Sequence, residues 1–171
     1  RYPELKGTVK FLAFLVPSRT HIRQYQRYMD EIQQVIQQIN NNHGADGWQP
    51  IVPYIENNYT QAIAGMKLYD ALLVNTIIEG MNLVAKEGPV VNNRDGVLVL
   101  SHSSGVHQQL AHGALSVSPT DIEGTMNALH QAVTMSPEDR KDRAARLYES
   151  VCREDINHWL YQQMQDISDL L

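Results

Sequence analysis

The chain has 171 residues, 43% hydrophobic and 19% charged, the composition of an ordinary folded domain rather than a disordered tail. Its formal charge of −5 argues against a nucleic-acid partner, which calls for a basic face. The single cysteine, Cys152, excludes an internal disulfide and a cysteine cluster for zinc, and no apolar run approaches the roughly 18 residues of a membrane helix. A cytoplasmic location and no membrane partner are therefore expected.

Arg1 to Gly7 reads as the tail of a preceding element, so the chain is expected to be a piece of a larger protein. Val9 to Val16 is apolar apart from Lys10 and reads as a central strand. Pro17-Ser18-Arg19-Thr20 ends it, with Thr20 placed to cap the next helix. In that helix Tyr25, Met29, Ile32, Ile36 and Ile39 recur on one face. Asn40 to Gly47 is predicted as a loop. Ile51 to Ile55 is a short strand that Pro53 assigns to an edge, and Tyr59 to Leu68 is a compact helix. Ala71 to Val74, directly after Tyr69-Asp70, reads as a buried parallel strand. A loop from Asn75 to Gly80 leads into a helix from Met81 to Val91. Val97 to Leu100 and Ala114 to Val117 are further strands. Thr120 to Glu123 reads as a capping box for a helix toward Thr134, with Ile122, Met126, Leu129 and Val133 on its apolar face. Ser136-Pro137 starts a polar helix to about Arg153. Asp155 opens a last helix whose face is Ile156, Trp159, Leu160, Met164, Ile167 and Leu171. Strands and helices alternate throughout, which predicts an α/β, Rossmann-like fold: a mostly parallel sheet with helices on both faces.

Ligands in such folds sit beyond the carboxyl ends of the strands. The loop before Gly80 therefore draws attention. The first N–H groups of a helix lack internal partners and sit at the positive end of its dipole, which suits phosphate. Gly80 lets a ligand approach the backbone. Glu79 and Glu87 suit hydroxyl groups instead. Phosphate at a helix end with hydroxyls beside it describes a sugar nucleotide. Taken alone, the segment reads rather as a helix start with a glycine turn and two solvated acids. Lys86 is explained either as a phosphate counter-charge or as a solvated residue. His102, His107 and His112 recur at steps of five, about 500° apart on a helix, so they do not converge on a metal. No metal site and no cofactor are expected. Ser101 to Gly105 lacks the leading glycine of a nucleophile elbow, and its glycine and serines are placed to line a site entrance. No G-x-G-x-x-G follows the first strand, which removes the usual dinucleotide reading.

The run Glu79-Gly80-Met81-Asn82-Leu83-Val84-Ala85-Lys86-Glu87 resembles the D-G-M-N-L-V-x-x-E signature of the trehalose-6-phosphate synthase family of retaining glycosyltransferases. Gly96 to Ser101, followed by Gly105 and Leu110, is similar to the family's G-V-L-V-L-S-x-x-x-G segment. Asp155-Ile156-Asn157-His158-Trp159 is similar to its late D-I-N-x-W element. Pro17-Ser18-Arg19 and the Ile39-Asn40, His43-Gly44, Trp48-x-Pro50 pattern extend the resemblance over essentially the whole chain. Separated motifs in the right order are a specific signal. Glu79 stands where the family usually has aspartate, and with Glu87 it forms the wider E-x7-E pattern of retaining glycosyltransferases.

The resemblance implies that residues 1–171 form the donor-binding, C-terminal part of a GT-B type enzyme. That enzyme would pass glucose from UDP-glucose, or another nucleotide-glucose, to glucose 6-phosphate. It implies donor-binding roles for Glu79, Gly80, Met81, Asn82, Leu83, Val84 and Glu87. Pro17 resembles the position near the nucleotide base, with Ile55 to Tyr59 on the other wall, although Pro17 is equally explained as a strand terminator. Arg19 is open between phosphate and a carboxylate. No catalytic residue is assigned within the chain, since the family's diphosphate-binding arginine and lysine lie upstream and its acceptor site in an N-terminal domain. The last helix, about residues 155–171, is expected to pack toward that domain, and the chain alone to be inactive. Partners are thus the donor, the phosphorylated acceptor and the N-terminal domain, with a homo-oligomer left open. Two other readings stand beside this one. Lys86 to Asn92 looks like relatives that make glucosylglycerol phosphate, and a non-catalytic binding or regulatory domain would retain the same fold.

Overall fold

The computed structural model describes residues 1–45 and 47–170 and divides into two compact units, Arg1 to Ala62 and Ile63 onward. In the first, β1 (Phe11–Phe14) and β2 (Ile51–Tyr54) pair in parallel across the crossover helix α1 (Arg23–His43). The Phe14 and Tyr54 rings stack with centroids 5.1 Å apart. The strand predicted over Val9–Val16 is shorter than expected and is not central. Among the described residues it is hydrogen-bonded to β2 alone, and Phe11, Leu12 and Phe14 are exposed. An apolar run signals faces that need cover, not neighbours on both edges.

The first unit departs from expectation at both ends of α1. Thr20 does not cap the helix; Ile22 stands at the cap position, and the Thr20 carbonyl accepts from Gln26 Nε2. At the other end Asn40 to His43 are helical rather than loop, while Asp46 lies outside the described residues. The cause is visible in Asn40. Its Nδ2 donates to Ile51 O at 2.8 Å and its Oδ1 accepts from Ile51 N at 3.0 Å. The side chain thus supplies both bonds that a neighbouring strand would make at the start of β2. Tertiary bonding of this kind outweighs the weak helix propensity of asparagine. Of the predicted apolar face, Ile36 is buried, Met29, Ile32 and Ile39 are half-buried, and Tyr25 is exposed.

Helix α2 (Tyr59–Leu68) leads into the second unit, where β3 (Ala71–Val74), β4 (Val97–Ser101) and β5 (Leu115–Val117) form a parallel sheet in that order. Between and after them lie α3 (Leu83–Val91), α4 (His107–Leu110), α5 (Ile122–Thr134), α6 (Pro137–Arg153) and α7 (Ile156–Asp169). Alternation along β4 builds two cores. Leu98 and Leu100 pack with Val74, Ala85, Leu110 and Leu147 from the α3, α4 and α6 side. Val97 and Val99 pack with Leu115, Val117, Ala128 and Ala132 from the α5 side. All four β4 side chains are fully buried, each contributing about 2 kcal/mol or more. Helices therefore cover both faces of the β3–β5 sheet, as predicted.

Asp121, not Thr120, caps α5: its Oδ1 accepts from Gly124 N at 2.9 Å. The core side of α5 is Ala128 and Ala132 with Leu129 and Met135, while Ile122 is 85% exposed. Small residues let this helix lie close on β4. Helix α6 starts as expected, with Pro137 in the first turn and Ser136 Oγ accepting from Asp139 N. On α7, Ile156, Trp159, Leu160, Met164 and Ile167 form an exposed apolar face; Leu171 lies outside the described residues.

Candidate functional site

The carboxyl ends of β3, β4 and β5 share one edge, and three loops leave it. They are tied together: Asn75 Nδ2 donates to Pro119 O at 3.2 Å, and His102 N to Val117 O at 3.0 Å. The Asn75–Gly80 loop is further fixed against the turn after β4. Glu79 and Ser104 form a parallel bridge, in which Glu79 N donates to Ser103 O at 3.4 Å and Gly105 N to Glu79 O at 2.8 Å. Ser103 and Gly105 thus hold the loop.

Two glycines meet here for opposite reasons. A Cβ on Gly105 would lie 1.9 Å from the Gly80 carbonyl oxygen, so only glycine fits without moving the backbone. A Cβ on Gly80 would meet nothing within 4 Å. Gly80 therefore leaves an open side to the loop rather than relieving an internal clash.

The helix begins two residues later than predicted. Leu83 is its first residue and Asn82 its cap, with Asn82 Oδ1 accepting from Ala85 N at 2.8 Å. Asn82 Nδ2 donates to Glu79 Oε2 at 2.9 Å. Hence the Asn82 side chain, expected to touch a ligand, is engaged at both ends inside the protein. The N–H groups of Leu83 and Val84 are left without intrahelical acceptors at the positive end of α3. Met81, Leu83 and Val84 are exposed, and Glu87 is half-buried one turn behind Leu83.

An open pocket of about 350 Å³ lies beside this loop, walled by Gly80, Met81, Lys86, Gly105, Gln108 and Glu154 among others. Lys86 and Glu154 give it charges of both signs. Gln109 fixes the α4 wall, exchanging hydrogen bonds with Ser150 of α6 at 3.2 Å each. Glu87, Leu83 and Val84 are not on its wall. The structure thus brings Gly80 and Met81 to the pocket and leaves Glu87 on a neighbouring surface of α3. Gln108 of α4 and Glu154 just past α6 join this wall, and no local sequence pattern marks them. The sequence reading does not give Asn82 as the α3 cap, although asparagine three residues before Ala85 is an N-cap pattern; the Asn82–Glu79 bond has no such pattern.

In the first unit, Pro17 is exposed and Ile55 half-buried, each just past the carboxyl end of its strand. The ladder continues there with Leu15 N donating to Tyr54 O at 2.9 Å. Arg19, in a left-handed backbone conformation, is engaged by Tyr25: its Nη1 donates to the phenol oxygen and its guanidinium lies 5.3 Å from the ring centroid. The histidines have local partners. His107 Nε2 lies 2.8 Å from Ser116 Oγ, His112 Nε2 lies 3.3 Å from Arg146 O, and His102 Nδ1 lies 3.3 Å from Ser103 Oγ. Among the described residues no group of three or more His, Cys, Asp or Glu is arranged to hold a metal.

The model of glycosyltransferase family 20 matches residues 1–169, which includes both units and the whole of this loop. The chain belongs to glycosyltransferase family 20. It is 32% identical over 161 residues to the UDP-forming alpha,alpha-trehalose-phosphate synthase A of Dictyostelium discoideum, covering 93% of this chain and 22% of that protein. It is 33% identical over 175 residues to the trehalose-6-phosphate synthase of Citrobacter koseri, covering 99% and 36%. The chain thus spans well under half the length of these curated relatives. Among solved structures, an E. coli protein bound with UDP-2-fluoro glucose superposes with a TM-score of 0.91 at 31% identity, over 97% of this chain and 37% of that one. A UDP-forming synthase from Burkholderia xenovorans in complex with glucose-6-phosphate gives 0.89 at 28%, over 96% and 37%. The Rossmann-like fold expected for this family-20 chain is the fold these structures share.

Proposed function

We propose that residues 1–171 are the donor-binding part of a retaining glucosyltransferase that moves glucose from UDP-glucose to glucose 6-phosphate, as trehalose-6-phosphate synthases do. The observation that carries this reading is the Glu79–Val84 loop, seated at the carboxyl edge of the sheet, with the Leu83 and Val84 N–H groups unpaired among the described residues. Those groups, with the Gly80 and Met81 backbone, face the diphosphate and the sugar hydroxyls, and the α3 dipole favours the negative charge. Glu79 accepts hydrogen bonds from hydroxyls of the transferred sugar through its second carboxylate oxygen. Glu87 takes the ribose hydroxyls.

Retention at the anomeric carbon requires the acceptor on the face from which the diphosphate leaves, with that leaving group stabilised by fixed donors. This chain contributes donor binding and part of that stabilisation. The acceptor site and the cationic clamp on the diphosphate belong to an N-terminal domain and the segment before this chain. The apolar face of α7 packs against that domain. The test is calorimetric titration of the full-length protein with UDP, UDP-glucose and GDP-glucose, where UDP and UDP-glucose should bind. Binding of none of the three would sink the reading.

A further inference from the structure

We infer that Asn82 is a positioning residue for Glu79, fixing which carboxylate oxygen faces the donor sugar while it caps α3. The inference rests on the donor-site reading above and adds to it a residue that acts through another. Three observations meet at this point. The Glu79 backbone is fixed on both sides, by Ser103 O and Gly105 N. Its side chain, with three rotatable bonds, is held by Asn82 Nδ2 at 2.9 Å on Oε2. The other end of the same amide accepts from Ala85 N at 2.8 Å.

The direction of the amide is forced. Turned over, it would set its N–H groups against Ala85 N–H and its oxygen against a carboxylate, losing both bonds at once. Residue 82 therefore ties the first turn of α3 to the orientation of the Glu79 carboxylate. Oε1 has no partner among the described residues and is left to accept from a hydroxyl. Aspartate at 82 would keep the cap but would offer Glu79 an acceptor and a like charge instead of a donor. Serine would keep a cap and reach no further.

The experiment compares Asn82→Asp and Asn82→Ser with the parent in the full-length protein. UDP, which lacks the sugar, and UDP-glucose are titrated separately, and kcat and KM are measured with glucose 6-phosphate as acceptor. Both variants should melt within about 3 °C of the parent and bind UDP as the parent does. Affinity for UDP-glucose, or kcat, should fall about tenfold. The pair Glu79→Gln with Asn82→Asp re-forms the contact with its direction reversed and should regain UDP-glucose affinity relative to Asn82→Asp alone. If the parent binds both nucleotides and Asn82→Asp keeps both the parent's UDP-glucose affinity and its kcat, the inference fails while the donor-site reading stands. Equal weakening of UDP and UDP-glucose would also overturn it, since Asn82 would then act on the whole helix start. A parent that binds neither nucleotide removes the donor-site reading, and the inference with it.

Discussion

Gly105 lies so close to Gly80 that a Cβ on it would stand 1.9 Å from the Gly80 carbonyl oxygen and 2.7 Å from the carbonyl carbon. Both atoms are backbone, so no side chain can swing aside to relieve the clash. Gly105→Ala should therefore cost about 1–3 kcal/mol in denaturant unfolding and displace the Glu79–Gly80 loop. Gly80→Ala meets open space and should leave stability within about 1 kcal/mol. Under the proposed function both should weaken UDP-glucose binding, for different reasons. Unchanged stability in Gly105→Ala would show that the loop is not seated on this turn.

That contact also marks where the sequence stops being legible. Helix α2 and strand β3 have the bounds predicted for them, Tyr59–Leu68 and Ala71–Val74, because local pattern and polar borders decide them. Helix α6 starts at the expected Ser136-Pro137 for the same reason. The misplaced ends have tertiary or competing causes. Asn40 is drawn into α1 by Ile51, and Asp121 outcompetes Thr120 as the α5 cap. The motif run from Glu79 to Glu87 located the candidate loop, yet the seat that holds it comes from Ser103 and Gly105. No periodicity links residues that far apart in the chain.

The Tyr69 ring is enclosed by glycines: a Cβ on Gly96 would fall 2.1 Å from it, and one on Gly88 within 3.5 Å. Its hydroxyl is buried with no partner among the described residues. Loss of solvent raises the phenol pKa above its ordinary 10.0. Tyr69→Phe removes an unsatisfied group and keeps the packing, so stability should hold or rise by about 1 kcal/mol. The sign of the pH effect follows from the raised pKa. The parent's advantage from a neutral phenol is intact below about pH 10 and is lost as pH rises past the unfolded value. The stability difference between Tyr69→Phe and parent should therefore widen above pH 10. A clear loss of stability in Tyr69→Phe at neutral pH would mean that the hydroxyl has a partner.

Asp155 caps α7. The backbone N–H of His158, then the Asn157 side chain and backbone, donate to its carboxylate and hold its pKa below the ordinary 3.8. A depressed carboxylate pKa stabilises above the unfolded value, and the stabilisation is lost as pH falls through the lower folded one. Amide exchange at His158 and Trp159 should accelerate relative to the rest of the chain as pH falls below about 4, once intrinsic exchange rates are divided out. Asp155→Asn keeps a cap of similar quality and should flatten that dependence. An equally steep dependence in Asp155→Asn would place the titrating group elsewhere.

Glu87 sits on α3 one turn behind Leu83, half-buried, with no hydrogen bond or ion pair among the described residues. An acid with no protein partner beside unpaired helix N–H groups suits a ligand that brings hydroxyls to it. Under the proposed function, Glu87→Gln keeps the shape and loses the charge, so hydrogen bonds to ribose should weaken by about 1 kcal/mol or more, several-fold in UDP affinity. Glu87→Ala should lose more, because the hydroxyls would face a void. Both losses should appear in UDP and UDP-glucose alike and leave kcat nearly unchanged, since ribose contacts alter little on the way to the transition state. Glu79→Gln should divide differently. In the proposed function its partner hydroxyls belong to the sugar whose charge changes in the reaction, so UDP binding should hold while kcat falls. These opposite patterns, read from calorimetry and steady-state rates on the full-length protein, separate the two acids. If Glu87→Ala left UDP affinity at the parent value, Glu87 would be a solvated acid, and the nucleotide would have to lie away from this face of α3.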